Sequence, residues 1–165
     1  MNRHQYNIYS MEFDTSEGSL FYSLNRDLRS ESRNALKKWL SYLKLFIHAL
    51  FKLPSTEGTV WRGVNGDVSS IYKIGKRLAW WGVSSTARNV SDLECLQYLD
   101  KHGQLTLFCI QCKNGKSIAK HSYFPLEDEV LLMPGTYLEV IGQLQPAEGV
   151  HIINLKELDL PYTVC

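Results

Sequence analysis

Two periodicities divide the chain. Between Ser19 and Leu53 the apolar residues recur at helical spacing: Leu20, Phe21, Leu24 and Leu28 in a first run to Arg29, then Leu36, Leu40, Leu43, Ile47 and Leu50 in a second from Ser32. Residues three and four apart share one face of a helix, so each run predicts a helix with one apolar stripe. Ser30 or Ser32 is placed to cap the second helix, and Pro54 ends it. The aromatic residues of this region, Trp39, Tyr42, Phe46 and Phe51, read as core rather than as a ligand box.

From Thr59 onward the pattern changes to short segments separated by turn residues. Strands are predicted at Thr59 to Val64, Arg77 to Ser85, Gln104 to Cys112, Lys116 to Lys120, Glu129 to Pro134, Tyr137 to Gln145 and Val150 to Lys156. Asn114-Gly115 predicts a hairpin turn, and Met133-Pro-Gly-Thr136 a second reversal. One helix, about Ser91 to Leu99 and capped by Ser91, interrupts the strands. Helices first and strands after predict an α+β domain with a mostly antiparallel sheet, because a parallel sheet needs alternating crossovers.

At 165 residues and 44% hydrophobic content the chain suits one domain with a real core. Eighteen basic against seventeen acidic residues, with no run of Lys or Arg longer than two, leave no electrostatic footprint for nucleic acid. The most apolar stretch, Trp39 to Leu53, is interrupted by Lys44, His48 and Lys52, so no membrane span is expected. The opening residues lack a secretory pattern, and a cytoplasmic location is the expectation.

Several familiar motifs fail on inspection. Cys109-Ile-Gln-Cys112 lies in a predicted strand, where positions three apart face opposite sides, and no second such pair completes a zinc site. Gly115-Lys116-Ser117 resembles the end of a phosphate-binding loop, but Ile110 stands where that loop needs glycine. Gly63-Val-Asn-Gly66 lacks the spacing of a dinucleotide fingerprint, and the five histidines are scattered.

The stretch that points to chemistry is Glu127-Asp128-Glu129, at the mouth of an apolar segment. In extended chain, residues i and i+2 share a side, so Glu127 and Glu129 face one way and Asp128 the other. Paired acids suit a cation or a cationic transition state between them, whereas the plain alternative is a solvated loop end. Spacing alone leaves both open.

Three segments, in order, narrow the choice: Val60-Trp61-Arg62-Gly63, then Trp80-Trp81-Gly82-Val83-Ser84-Ser85-Thr86, then Glu127-Asp128-Glu129-Val130-Leu131. Together they resemble the Arg, Ser and Glu-x-Glu motifs of the arginine-specific mono-ADP-ribosyltransferases, the R-S-E class, and the chain looks most similar to its invertebrate members. The likeness runs from about Leu20 to Leu158. It implies a tail over 1–18 and one catalytic domain over 19–160, with N-terminal helices packed on two antiparallel sheets around a central NAD cleft. One departure stands out: the family's serine motif is usually Ser-Thr-Ser, and this chain has Ser85-Thr86-Ala87.

The resemblance also implies roles. Glu129 would hold the nicotinamide ribose and stabilise an oxocarbenium-like transition state, and Ser85, with Ser84 as the register alternative, would orient it. Arg62 would hold the NAD diphosphate, Gly63 would let the backbone approach the nicotinamide amide, and Thr86 and Arg88 would also line the NAD site. Glu127 would position and deprotonate the acceptor arginine, with Tyr123 and Phe124 on the loop that meets the target protein. NAD serves as co-substrate and no metal is called for. An NAD glycohydrolase, or a silent nucleotide- or protein-binding domain of the same fold, is the alternative.

Overall fold

The computed structural model describes residues 20–93, 103–121 and 128–160. Two helices come first, α1 (Leu20–Arg29) and α2 (Leu40–Phe51), joined through a 3₁₀ segment at Arg33–Trp39. The long helix predicted from Ser32 is therefore α-helical only in its second part. Asp27 of α1 supplies the reason, since its carboxylate takes the Trp39 indole N–H at 2.8 Å and the Lys38 ammonium at 2.9 Å. Drawing two consecutive side chains to one point suits the tighter 3₁₀ winding. Ser32 makes no side-chain cap; its own N–H donates to Ser30 Oγ at 3.1 Å. Among the described residues no helix is long and apolar enough to cross a membrane.

Seven strands follow: β1 (Ser55–Asn65), β2 (Arg77–Trp80), β3 (Ser84–Ala87), β4 (Leu105–Ser117), β5 (Glu129–Leu132), β6 (Thr136–Ala147) and β7 (Val150–Glu157). They are hydrogen-bonded in the order β1-β3-β5-β4-β7-β6-β2, with β1 also paired along β4. One limb, β1-β4-β7-β6-β2, carries the long strands, and the short pair β3–β5 forms the other. The limbs meet where Trp61 pairs with Ala87 and where the end of β4 pairs Lys116 with Leu131. The two expected layers are thus one continuous hydrogen-bonded network. All pairings are antiparallel except β4 with β7, which are parallel because β5 and β6 intervene between them and bring the chain back.

Two strand expectations are corrected. Arg77 to Ser85 is not one strand: the chain leaves β6 after Trp80 and joins β5 at Ser84. At the break Val83 N–H donates to the Asn25 side-chain carbonyl of α1 at 2.9 Å, in place of a ladder partner. The Asn114-Gly115 hairpin is absent as well, since β4 runs unbroken through it. The buried Glu157 carboxylate instead takes the N–H groups of Lys113 and Asn114 at 2.6 and 3.0 Å, and β1 slips register between Thr56 and Gly58 to match. A side-chain acceptor at this point makes a bulge where a two-residue turn was expected. The second reversal is present, with Thr136 N–H on Met133 O at 3.1 Å and Gly135 at φ +84°. Of the expected helix at Ser91, a 3₁₀ turn spans Val90–Asp92, and 94–99 lie outside the described residues.

The core explains why β5 is buried throughout. Val130 and Leu132 enter a cluster with Val60, Phe108, Ile110, Leu138, Val140, Ile153 and Leu155, while Leu131 enters a second with Leu50, Val83 and Ile118. A strand apolar on both faces reads as a continuous hydrophobic run. Glu129 stands at its start, 6% exposed.

Candidate active site

Strand pairing decides which groups meet Glu129. Its cross-strand partner on β3 is Ala87, and Ser85 lies opposite Leu131. Ser85, Ala87, Glu129 and Leu131 therefore share one face, the face of the cluster that Leu28 and Phe46 of the helices pack against. Ser85 is the diagonal neighbour of Glu129, and its hydroxyl donates to Glu129 Oε1 at 2.5 Å. Thr86 faces the other way and spends its hydroxyl on Val130 O at 2.6 Å, and Ser84 is buried on that same side. Of the hydroxyls in the serine motif, Ser85 is the one brought to the acid. The backbone of Glu129 is held too, because its carbonyl accepts from Ile118 N–H at 3.1 Å.

Arg62 joins this pair from β1. Its NH1 donates to Ser85 O at 2.8 Å, so one residue of β3 gives its hydroxyl to Glu129 and its carbonyl to the guanidinium. The cross-strand partner of Arg62 is Phe108, which shares its face. Phe108 packs against Tyr72 and Trp80, at ring-centroid distances of 4.8 and 5.2 Å, and the Trp80 indole N–H donates to the Tyr72 hydroxyl at 3.1 Å. Arg62 thus shares a face of the sheet with this aromatic group. Burial pushes the Tyr72 phenol up, while the Trp80 hydrogen bond and the charges of Arg62 and Arg29 pull it down. Gly63 follows, buried and paired with Leu107.

Arg88 is engaged elsewhere: its Nε lies 3.0 Å from Asp128 Oδ2 and its N–H donates to Asp128 O at 3.3 Å. Glu127, Tyr123 and Phe124 lie outside the described residues.

Two residues of α1 that the sequence did not single out border the site. A methyl group on Gly82 would come within 2.7 Å of Asn25 Oδ1 and 3.3 Å of Arg29 Nε, so the absent Cβ lets α1 close onto the start of the serine motif. Arg29 is exposed there, and both its charge and that of Arg62 act on Tyr72. Asn25 and Val83 are 58 residues apart, and no local pattern announces such a contact.

Cys109 and Cys112 are free thiols, pushed up by burial. Among the described residues no group of three or more His, Cys, Asp or Glu is placed to hold a metal ion.

Comparison with known proteins identifies the family. Residues 6–160 match the sequence profile of the family described as NAD:arginine ADP-ribosyltransferase. Among solved structures, Vis, an ADP-ribosyltransferase of Vibrio splendidus determined in complex with agmatine, superposes with a TM-score of 0.68 at 20% identity, covering 84% of this chain and 68% of that one. HopU1, an ADP-ribosyltransferase of Pseudomonas syringae, gives 0.68 at 22% identity, with 86% and 67% covered. Exoenzyme S of Pseudomonas aeruginosa, bound to carba-NAD and human 14-3-3 protein beta, gives 0.58 at 23%, with 81% and 65% covered. At these identities the solved structures speak for the fold. No curated protein matches the chain.

Proposed function

Because the chain belongs to the NAD:arginine ADP-ribosyltransferase family, we propose that it moves ADP-ribose from NAD to arginine side chains of proteins and releases nicotinamide. The observation that carries the reading is the continuous link from Arg62 through Ser85 to Glu129. It brings a permanent cation for phosphate and a buried carboxylate for a ribosyl cation onto one residue of β3.

In this reading the bond between nicotinamide nitrogen and ribose C1′ breaks as positive charge grows on the ribose. Nicotinamide leaves with the bonding electrons. Glu129, held by the Ser85 hydroxyl, offers fixed negative charge to the cation and a hydrogen-bond acceptor to a ribose hydroxyl. Its rotamer is set before substrate arrives, so little reorganisation is left for the moment of reaction. Arg62 holds the diphosphate, with Arg29, whose charge also acts on Tyr72, as a second cation, and Gly63 allows close approach of the backbone. An arginine nitrogen of the acceptor then bonds to C1′ and gives up a proton. A guanidinium is protonated in water, and Glu127 receives that proton while orienting the acceptor.

The test is incubation with NAD and agmatine or an arginine-rich protein, following nicotinamide and modified acceptor by mass spectrometry. The expected result is equal release of nicotinamide and gain of ADP-ribose on arginine. Nicotinamide without modified acceptor would replace the transferase by a glycohydrolase. NAD binding with no nicotinamide would leave a silent domain.

A further inference from the structure

We infer, on the transferase reading above, that Arg88 is a positioning residue that orients Glu129 by clasping Asp128. β3 ends at Ala87, opposite Glu129. One residue on, Arg88 carries the pairing a step further, with its N–H on Asp128 O at 3.3 Å and its Nε 3.0 Å from Asp128 Oδ2. Asp128 is therefore gripped by backbone and side chain at once.

The faces determine what that grip can do. Successive residues of extended chain point to opposite sides. Ser85 and Ala87 share the face of Glu129, so Arg88 and Asp128 belong to the reverse face, where the charge of Arg88 acts on Cys112 of β4. A guanidinium committed to Asp128 on that side is turned from a substrate lying against the Glu129 carboxylate. What it controls is rotation of the strand at its entry. With Asp128 fixed to the rear, the next residue must turn forward, and Glu129 is bracketed by the Ser85 hydroxyl at its carboxylate and by the clasp at its preceding peptide.

Both side chains of the clasp are part exposed, 37% for Arg88 and 45% for Asp128, so the ion pair adds little to global stability. Catalysis is more sensitive, because a displacement of about 1 Å in a reacting group can lower a rate on the order of a hundredfold. Loss of the clasp is thus expected in kcat before it is seen in thermal stability.

The experiment measures kcat and KM for NAD by nicotinamide release, with thermal midpoints, for wild type, Arg88→Lys, Arg88→Asp, Asp128→Arg and the charge swap Arg88→Asp/Asp128→Arg. Each single reversal is expected to lower kcat about tenfold with KM for NAD and the midpoint nearly unchanged, Arg88→Lys to lose less, and the swap to recover most of the loss. A raised KM for NAD with kcat retained, and no recovery in the swap, would overturn the inference and make Arg88 a phosphate ligand. So would a fall in kcat that only follows the loss of folded protein, or no change at all. An inactive wild type would overturn the transferase reading and this inference with it, whereas an active wild type lets the variants decide the inference alone.

Discussion

Ser85 and Glu129 are joined by a 2.5 Å hydrogen bond that runs diagonally across the β3–β5 ladder, the serine standing two residues beyond the direct partner of the acid. A hydrogen bond to a charged group contributes about 1.5–3 kcal/mol. Ser85→Ala is therefore expected to lower kcat for nicotinamide release roughly tenfold to a hundredfold, leaving KM for NAD nearly unchanged. Steady-state kinetics check this, and a change in KM alone would remove Ser85 from the reaction.

Ala87 stands directly opposite Glu129 on the same face. Directly opposed Cβ atoms are about 4.5–5.5 Å apart, within reach of a hydroxyl. Ala87→Ser alone is expected to leave activity within about threefold of wild type, because Ser85 already donates. In the Ser85→Ala background it should restore part of the lost kcat. Absence of any recovery would mean that the hydroxyl must come from the diagonal position.

Removal of the acids separates their duties. Glu129→Ala should abolish both nicotinamide release and arginine modification, a loss of at least about a hundredfold to a thousandfold. Glu127→Ala should lose transfer to agmatine but keep part of the NAD hydrolysis. Equal transfer by Glu127→Ala and wild type would move acceptor selection to another residue.

Gly82→Ala tests the contact of α1 with the serine motif. The new methyl would meet Asn25 Oδ1 at 2.7 Å, and relief requires α1 to retreat from Val83 N–H. A loss of about 1–3 kcal/mol in urea unfolding is expected, with weakened NAD binding measured by calorimetry. Gly115→Ala, whose methyl would lie 2.6 Å from Val130 Cγ1, should destabilise by a similar amount.

Asp27 confers a dependence on acid. Hydrogen bonds from Trp39 and Lys38 hold its carboxyl down at about 2, from an ordinary 3.8. A carboxylate with a depressed folded value stabilises fully above the unfolded value, and that stabilisation is lost as pH falls from about 3.8 towards 2. Asp27→Asn should lower the thermal midpoint at pH 7 and flatten its decline across that acid window. An unchanged acid limb would show that other carboxyls govern it.

Much of the fold was legible because it depends on local pattern. Helical spacing placed α1 and α2, alternation placed most strands, and Met133-Pro-Gly-Thr136 marked a turn that the backbone makes. Asn114-Gly115 misled because the N–H groups of Lys113 and Asn114 found the Glu157 carboxylate, 44 and 43 residues away, and a distant acceptor does not show in a dipeptide. The break at Gly82 has the same origin, set by Asn25 across 58 residues.

The amino-acid sequence by itself determined the inventory: an arginine before a glycine, a serine pair, two acids two apart, and an order of helices and strands that admits few folds. Tertiary structure alone decided which of these touch. Strand register put Ser85 rather than Ser84 on the face of Glu129, gave Ser85 O to Arg62 and turned Arg88 to Asp128. The physical reason is the period of two along a strand: a shift of one residue reverses every side chain, and register is fixed only when the apolar residues of β5 find both of their clusters.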